Sequence, residues 1–206
     1  MRRIPESSVR RLALYLRFLE ESAGTGQATI SSAELAERGG TTSAQVRKDL
    51  SFFGSFGKRG LGYGVVELTG RLREILGLKT SHRVILIGAG KVGMALVHYP
   101  GFEERGFQVG AIYDRDPRKI GSRWNGLVIR DVRHLERDLQ REPTDIAIVV
   151  TPAAAAQQVA ERLVHAGVRA ILNFAPVQLV LPDRVAVRNV NMALELETLS
   201  YALTAK

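Results

Sequence analysis

The stretch Arg83-Val84-Ile85-Leu86-Ile87-Gly88-Ala89-Gly90-Lys91-Val92-Gly93 joins an unbroken apolar run to a glycine-spaced turn that opens a helix. A run without polar interruption is what a strand covered on both faces requires. Glycine at the three spaced positions permits a tight turn and lets a pyrophosphate approach backbone N–H groups at the positive end of the helix, so Gly88, Ala89, Gly90, Lys91, Val92 and Gly93 are the candidate phosphate loop. The next strand is expected to end at Asp114, 21 residues after Gly93, where a carboxylate accepts from the hydroxyls of an adenosine ribose and repels a 2′-phosphate. Arg115 and Lys119, close behind it, soften that preference for NAD(H) over NADP(H).

Downstream of this turn the pattern alternates. Strands are expected at Arg83 to Ile87, Gln108 to Tyr113, Leu127 to Ile129, Ile146 to Val150, Ala170 to Phe174 and Val185 to Val190. Helices are expected around Val92 to Tyr99, Val132 to Arg141 and Ala153 to Ala166, the alternation of an α/β, doubly wound parallel sheet. The chain closes on Met192, Leu196, Leu199 and Leu203, whose 4-3-4 spacing makes one apolar stripe on a terminal helix. That stripe either packs on its own domain or is exchanged with a second copy.

Upstream the period is helical. Val9, Leu12, Ala13, Leu16 and Leu19 form one face of a first helix that ends near Gly24. Ser31-x-x-Glu34 and Thr42-x-x-Gln45 both match the capping box, so two short helices should begin there, the second closed near Gly54. The glycine-spaced segment Gly57-Lys58-Arg59-Gly60-Leu61-Gly62-Tyr63-Gly64, followed by Val65-Val66-x-Leu68, reads as a β-hairpin wing with a basic tip, and a further helix is expected from Thr69 to Leu76. The domain boundary falls at the change of period near Thr80.

The net charge of +8 suggests a polyanionic partner, and its distribution is uneven. Residues 1–80 carry 13 Lys/Arg against 8 Asp/Glu, the remaining 126 residues 16 against 13. Absence of cysteine excludes disulfides, thiolate metal sites and cysteine nucleophiles, and fits a reducing cytoplasm. No signal-peptide pattern and no run of eighteen apolar residues occurs, so no membrane association is expected. None of His82, His98, His134 and His165 pairs at metal-ligand spacing, and no metal is expected. A hydride-transferring enzyme needs an acid or base beside the nicotinamide and room for substrate; no Tyr-x-x-x-Lys occurs and the sheet takes up almost everything after residue 80, which favours a sensor over a catalyst.

Together these segments resemble the Rex family of redox-sensing transcriptional repressors over essentially the whole chain. The resemblance is most specific in Ser43-Ala44-Gln45-Val46-Arg47-Lys48-Asp49-Leu50-Ser51-Phe52-Phe53-Gly54, in Gly57 to Tyr63, in Tyr99-Pro100-Gly101-Phe102, in Asp114 to Gly121 and in Leu172-Asn173-Phe174-Ala175-Pro176. It implies a winged-helix DNA-binding domain over 1–79, a Rossmann NAD(H)-binding domain over 80–190 and a domain-swapped dimerisation helix over 191–206. It implies a homodimer that represses by holding palindromic operator DNA when NAD⁺ predominates and lets go when NADH accumulates. In the helix-turn-helix, Thr42, Ser43, Gln45, Arg47, Lys48 and Ser51 would face the major groove or its phosphates, while Lys58 and Arg59 enter the minor groove. Tyr99, Thr151, Pro152, Asn173, Phe174, Ala175 and Pro176 would form or border the nicotinamide pocket, joined by Met192 from the partner.

The chain departs from the family at one informative position. Members carry an Asp just after the last strand that exchanges partners with an Arg on the first helix and with the tyrosine of Tyr-Pro-Gly-Phe. The matching residues here are Asn191, Arg17 and Tyr99. A neutral Asn191 replaces a charge-assisted contact by a plain hydrogen bond of roughly half the strength. Three readings therefore stand: an NADH-responsive repressor, a constitutive DNA-binding paralogue whose Rossmann domain serves dimerisation, and a small dinucleotide- or coenzyme A-binding enzyme with a basic N-terminal module.

Overall fold

The computed structural model describes residues 4–57 and 60–204, so the expected wing cations Lys58 and Arg59 lie outside the described residues. The chain forms two compact units, Met1–Thr80 and Ser81–Lys206.

The first unit contains α1 (Glu6–Gly24), β1 (Thr29–Ile30), α2 (Ser32–Arg38), α3 (Ser43–Ser51), β2 (Tyr63–Gly64) and α4 (Val65–Ile75). On α1 the expected apolar face is only partly the buried one: Val9 and Ala13 are exposed, whereas Leu12, Leu16 and Leu19, joined by Tyr15, enter a core with Leu35, Val46, Leu50, Leu68 and Leu72. Each such side chain contributes about 1.5–3 kcal/mol on burial, which is what fixes three short helices that could not persist alone. The cap of α2 is reciprocal, the Ser31 hydroxyl accepting from Glu34 N–H and the Glu34 carboxylate from Ser31 N–H. At α3 only half of the expected capping box forms: Thr42 Oγ1 accepts from Gln45 N–H at 3.1 Å, but the Gln45 side chain turns to Asp49 instead.

Two expectations for the following segment are corrected. The wing does not pair with itself among the described residues; Tyr63–Gly64 forms a two-residue antiparallel ladder with Thr29–Ile30. Val65 to Leu68 is not a strand but the start of α4, four residues ahead of the expected helix start at Thr69. Val65, Leu68 and Leu72 are buried at helical spacing while Val66 is 81 % exposed. A four-residue apolar run fits either period, and here the helical face won because it completes the core against α1.

The second unit is the expected α/β layer structure. In chain order it holds β3 (His82–Ile87), α5 (Lys91–Val97), α6 (Pro100–Glu103), β4 (Phe107–Asp114), β5 (Arg123–Trp124), β6 (Leu127–Asp131), a 3-10 turn (Val132–His134), α7 (Leu135–Arg141), β7 (Ile146–Val149), α8 (Ala153–His165), β8 (Ala170–Asn173), β9 (Ala186–Asn189) and α9 (Met192–Thr204). The sheet order is β5-β6-β4-β3-β7-β8-β9. All neighbours are parallel except the edge hairpin β5–β6, which the sequence reading missed. A strand alternates its side chains, so β3 sends Ile85 and Ile87 into the core under α7 and α8 and Leu86 into the core with Val97 of α5. The order reverses between β3 and β7, and the crevice at that reversal is where such sheets hold a ligand.

Candidate functional site

The loops that meet at this crevice are positioned by close backbone packing and by buried polar side chains. Gly88 leaves β3 with φ +112°, a conformation that L side chains rarely adopt, and a Cβ there would stand 2.7 Å from Val150 O on the neighbouring strand end. Gly93, on the first turn of α5, comes so close to the loop that a Cβ would lie 2.3 Å from Gly88 O. The helix can therefore start flush against the strand. Its N-cap, Gly90, has no side chain to occupy the first-turn N–H groups, which leaves them for a phosphate. Lys91 is exposed, and Val92 is partly so beside it.

Asp114 at the end of β4 is buried, yet it stays ionised. Burial pushes its carboxyl up, but N–H bonds from Asp116 and Ala89 and the nearby Lys119 ammonium outweigh that and hold it below the usual carboxylate range. The Ala89 bond is 2.6 Å, the Asp116 bond 2.8 Å, and Lys119 Nζ lies at 3.4 Å. One carboxylate thus ties the glycine loop to the loop after β4. Arg115 is exposed beside it.

The opposite wall comes from β7 and β8. Val150 N–H continues the ladder onto Ile87 O, so Thr151 and Pro152 stand next to Gly88, with Pro152 as N-cap of α8. Thr151 Oγ1 is buried and has no hydrogen-bond partner, an orphan that a ligand at the crevice can satisfy. After β8, Phe174 N–H donates to Val149 O, with Ala175 buried and Pro176 exposed. Asn173, expected at the pocket, is fully buried and spent on its own surroundings. Its amide donates to Ala175 O, Val177 O and Asn189 Oδ1 and accepts from Ala175 N–H, so it shapes the loop from behind. Gln157 does the same from α8, its amide pairing with both Val180 N–H and Val180 O, 23 residues away. No sequence pattern announced that clamp.

Tyr99 follows the end of α5. It is the N-cap of α6, edge-on to Phe102 with ring centroids 5.1 Å apart, and lines a cavity of about 490 Å³ with Phe102, Phe107 and Leu127. That lining includes neither Thr151 nor Phe174. Asn191 caps α9, its Oδ1 accepting from Ala193 N–H at 3.1 Å and Leu194 N–H at 3.3 Å. Arg17 is exposed on α1 of the other unit. Met192 is 63 % exposed, and no residue of α9 is buried.

On α3 the exposed residues include Thr42, Arg47, Lys48 and Ser51, with Ser43 and Gln45 half-buried. Arg47 Nη1 donates to Ser32 Oγ of α2, and Ser51 Oγ donates to Lys48 O. Asp49, which the sequence reading passed over, is the buried centre of this helix, gripped by Arg11 and Tyr15 of α1. Among the described residues no cluster of His, Asp and Glu could hold a metal ion, and no helix is long and apolar enough to cross a membrane.

Residues 3–51 match a family described as putative DNA-binding protein N-terminus, and residues 79–177 match the CoA-binding domain family. The sequence is 46 % identical to the redox-sensing transcriptional repressor Rex of Carboxydothermus hydrogenoformans, across 97 % of this chain and 96 % of that one. The chain belongs to the Rex family. Rex structures share its fold. RSP, a Rex-family repressor, in complex with beta-NAD⁺ and operator DNA matches at TM-score 0.93 and 41 % identity, covering 98 % of this chain and 94 % of that one. RSP in complex with beta-NADH matches at 0.88 and 40 % identity, covering 97 % and 94 %. Both the family resemblance and the α/β architecture read from the sequence hold.

Proposed function

We infer that this protein is an NAD(H)-responsive transcriptional repressor that binds palindromic operator DNA as a homodimer and is released when NADH binds. The observation that carries this reading is near-full-length identity of 46 % to a redox-sensing repressor, together with a fold match to a repressor seen with NAD⁺ and operator DNA. The division of labour follows: residues 1–79 bind DNA, 80–190 bind dinucleotide and 191–206 join the dimer. A repressor shares a compartment with the chromosome, and we place it in the cytoplasm.

The cradle fits a dinucleotide. Gly88 and Gly93 let α5 start hard against the end of β3, Gly90 leaves open space where a Cβ would stand, the uncapped first turn of α5 would hold the pyrophosphate, Asp114 would receive the adenosine ribose, and Thr151 Oγ1 is unpartnered. When bound, the nicotinamide supplies a ring that is positive when oxidised and neutral when reduced. A neutral ring is more readily buried among Phe174, Ala175 and Pro176, whereas a charged one resists leaving water. Ligand state then shifts the balance between DNA-competent and released arrangements by its differential affinity for the two. No catalytic residue is assigned, and turnover is not part of this reading.

Titrating NADH into the protein bound to its operator tests the proposal: DNA affinity falls at least about tenfold as NADH saturates, and NAD⁺ does not cause the fall. Unchanged affinity would favour a constitutive DNA-binding paralogue, a reading that Asn191, neutral and occupied in capping α9, specifically supports. Steady NADH consumption with a metabolite would point to an enzyme.

Homodimerisation is supported by α9. Leu196, Leu199 and Leu203 are 66 %, 62 % and 85 % exposed, an apolar stripe that a single copy leaves in water. Ending the chain after Val190 is expected to halve the mass measured by light scattering. It should weaken operator binding by about a hundredfold or more, because two half-sites are no longer engaged together.

A further inference from the structure

The carboxylate of Asp49 sits inside the first unit with no exposure, on the helix whose outer face carries Arg47 and Lys48. Each oxygen takes two donors. Oδ2 accepts from Arg11 Nε at 2.6 Å and Tyr15 OH at 3.1 Å, while Oδ1 accepts from Arg11 Nη2 and Gln45 Nε2, both at 2.8 Å. An ionised carboxylate offers about four acceptor sites and no proton, so all are filled. That has a chemical consequence for Gln45. A glutamine amide in solution presents either end, but one facing an acceptor-only group must turn its NH₂ toward it. Its Oε1 is thereby directed away from Asp49 on the first turn of α3, at the helix end that meets base edges in helix-turn-helix proteins.

We propose that Asp49 is a positioning residue for sequence readout, locking the Gln45 amide with its oxygen outward so that this position accepts from an exocyclic amino group in the major groove. Adenine N6 and cytosine N4 present that donor; guanine O6 and thymine O4 are acceptors and repel it. The inference rests on the DNA-binding reading above and deepens it. Gln45 is the residue that touches the base, and Asp49, anchored by Arg11 and Tyr15 from α1, decides which end it shows.

Selection of duplexes from a randomised library by the unaltered full chain with NAD⁺ gives its base preferences. One position per half-site is expected to favour adenine or cytosine over guanine and thymine by about tenfold. In Gln45→Met and in Asp49→Asn that preference falls to within about twofold, with the other positions unchanged. A folded Asp49→Asn, checked by circular dichroism, that keeps the tenfold preference overturns the proposal, as does Gln45→Met that alters no position. A measurement without substitution at Asp49 guards against a variant that does not fold: the Gln45 side-chain amide protons should exchange with solvent more slowly than those of exposed Gln140, and equal exchange overturns it. Failure of the unaltered chain to select any duplex sinks the repressor reading itself, which is a different result from selection with preferences that ignore Asp49.

Discussion

Gly93→Ala is expected to abolish useful NADH binding while leaving operator binding intact. The added methyl meets Gly88 O at 2.3 Å, Leu86 Cδ2 at 3.1 Å and Val150 Cγ2 at 3.3 Å. The first of these is backbone at a strand end and cannot rotate aside. The start of α5 must lift off the loop, which withdraws the first-turn N–H groups from the pyrophosphate. Charge-assisted bonds of that kind are each worth about 1.5–3 kcal/mol, so loss of one or two weakens NADH by roughly tenfold to ten-thousandfold. Isothermal titration measures it directly. A DNA complex of this variant should then ignore NADH at concentrations that dissolve the unaltered one, whereas unimpaired NADH affinity would show that the glycine turn is not the phosphate loop.

Arg11→Met is expected to cost the first unit about 3–5 kcal/mol, because it removes the main countercharge of a carboxylate that remains fully buried. Urea denaturation followed by circular dichroism reads the loss. The pH dependence separates this from lost packing. In the unaltered protein burial raises the Asp49 carboxyl, but bonds from Arg11, Gln45 and Tyr15, with the nearby Ser8 hydroxyl, prevail and its pKa lies below the ordinary 3.8. A depressed carboxylate contributes stability that is complete above the unfolded value and is lost as pH falls through 3.8 toward the lower folded value. With Arg11 gone, desolvation dominates, the pKa rises, and mild acid should narrow the deficit of the variant by neutralising the buried charge. At the alkaline end Tyr15 is raised from 10.0 to about 12, first by burial and then by Asp49. Its contribution is present below pH 10 and is lost as pH climbs from there toward 12.

The doubly wound sheet was legible because its signals are local: β-run, glycine turn and helix follow one another from Val84 to Val97, and Asp114 closes the next strand. What escaped was either ambiguous or distant. The run from Val65 to Leu68 suits both periods, and only contact with α1 makes it a helix. Arg123–Trp124 is too short to show a pattern before it pairs with β6. At the site, Gly88, Gly93 and Asp114 could be read from spacing, but the work of Asn173 could not, since its four bonds depend on how the loop folds back on it. Asp49 looked like one more charge in Arg47-Lys48-Asp49. Its partner Arg11 is 38 residues away, and no periodicity links the two.

The bare apolar stripe on α9 also bears on gene dosage. If only a second copy can cover Leu196, Leu199 and Leu203, silencing capacity in dilute cells grows with the square of the number of chains rather than in proportion to it. A truncated allele that lacks α9 would then be inert rather than poisonous, because it has nothing to lend to an intact copy.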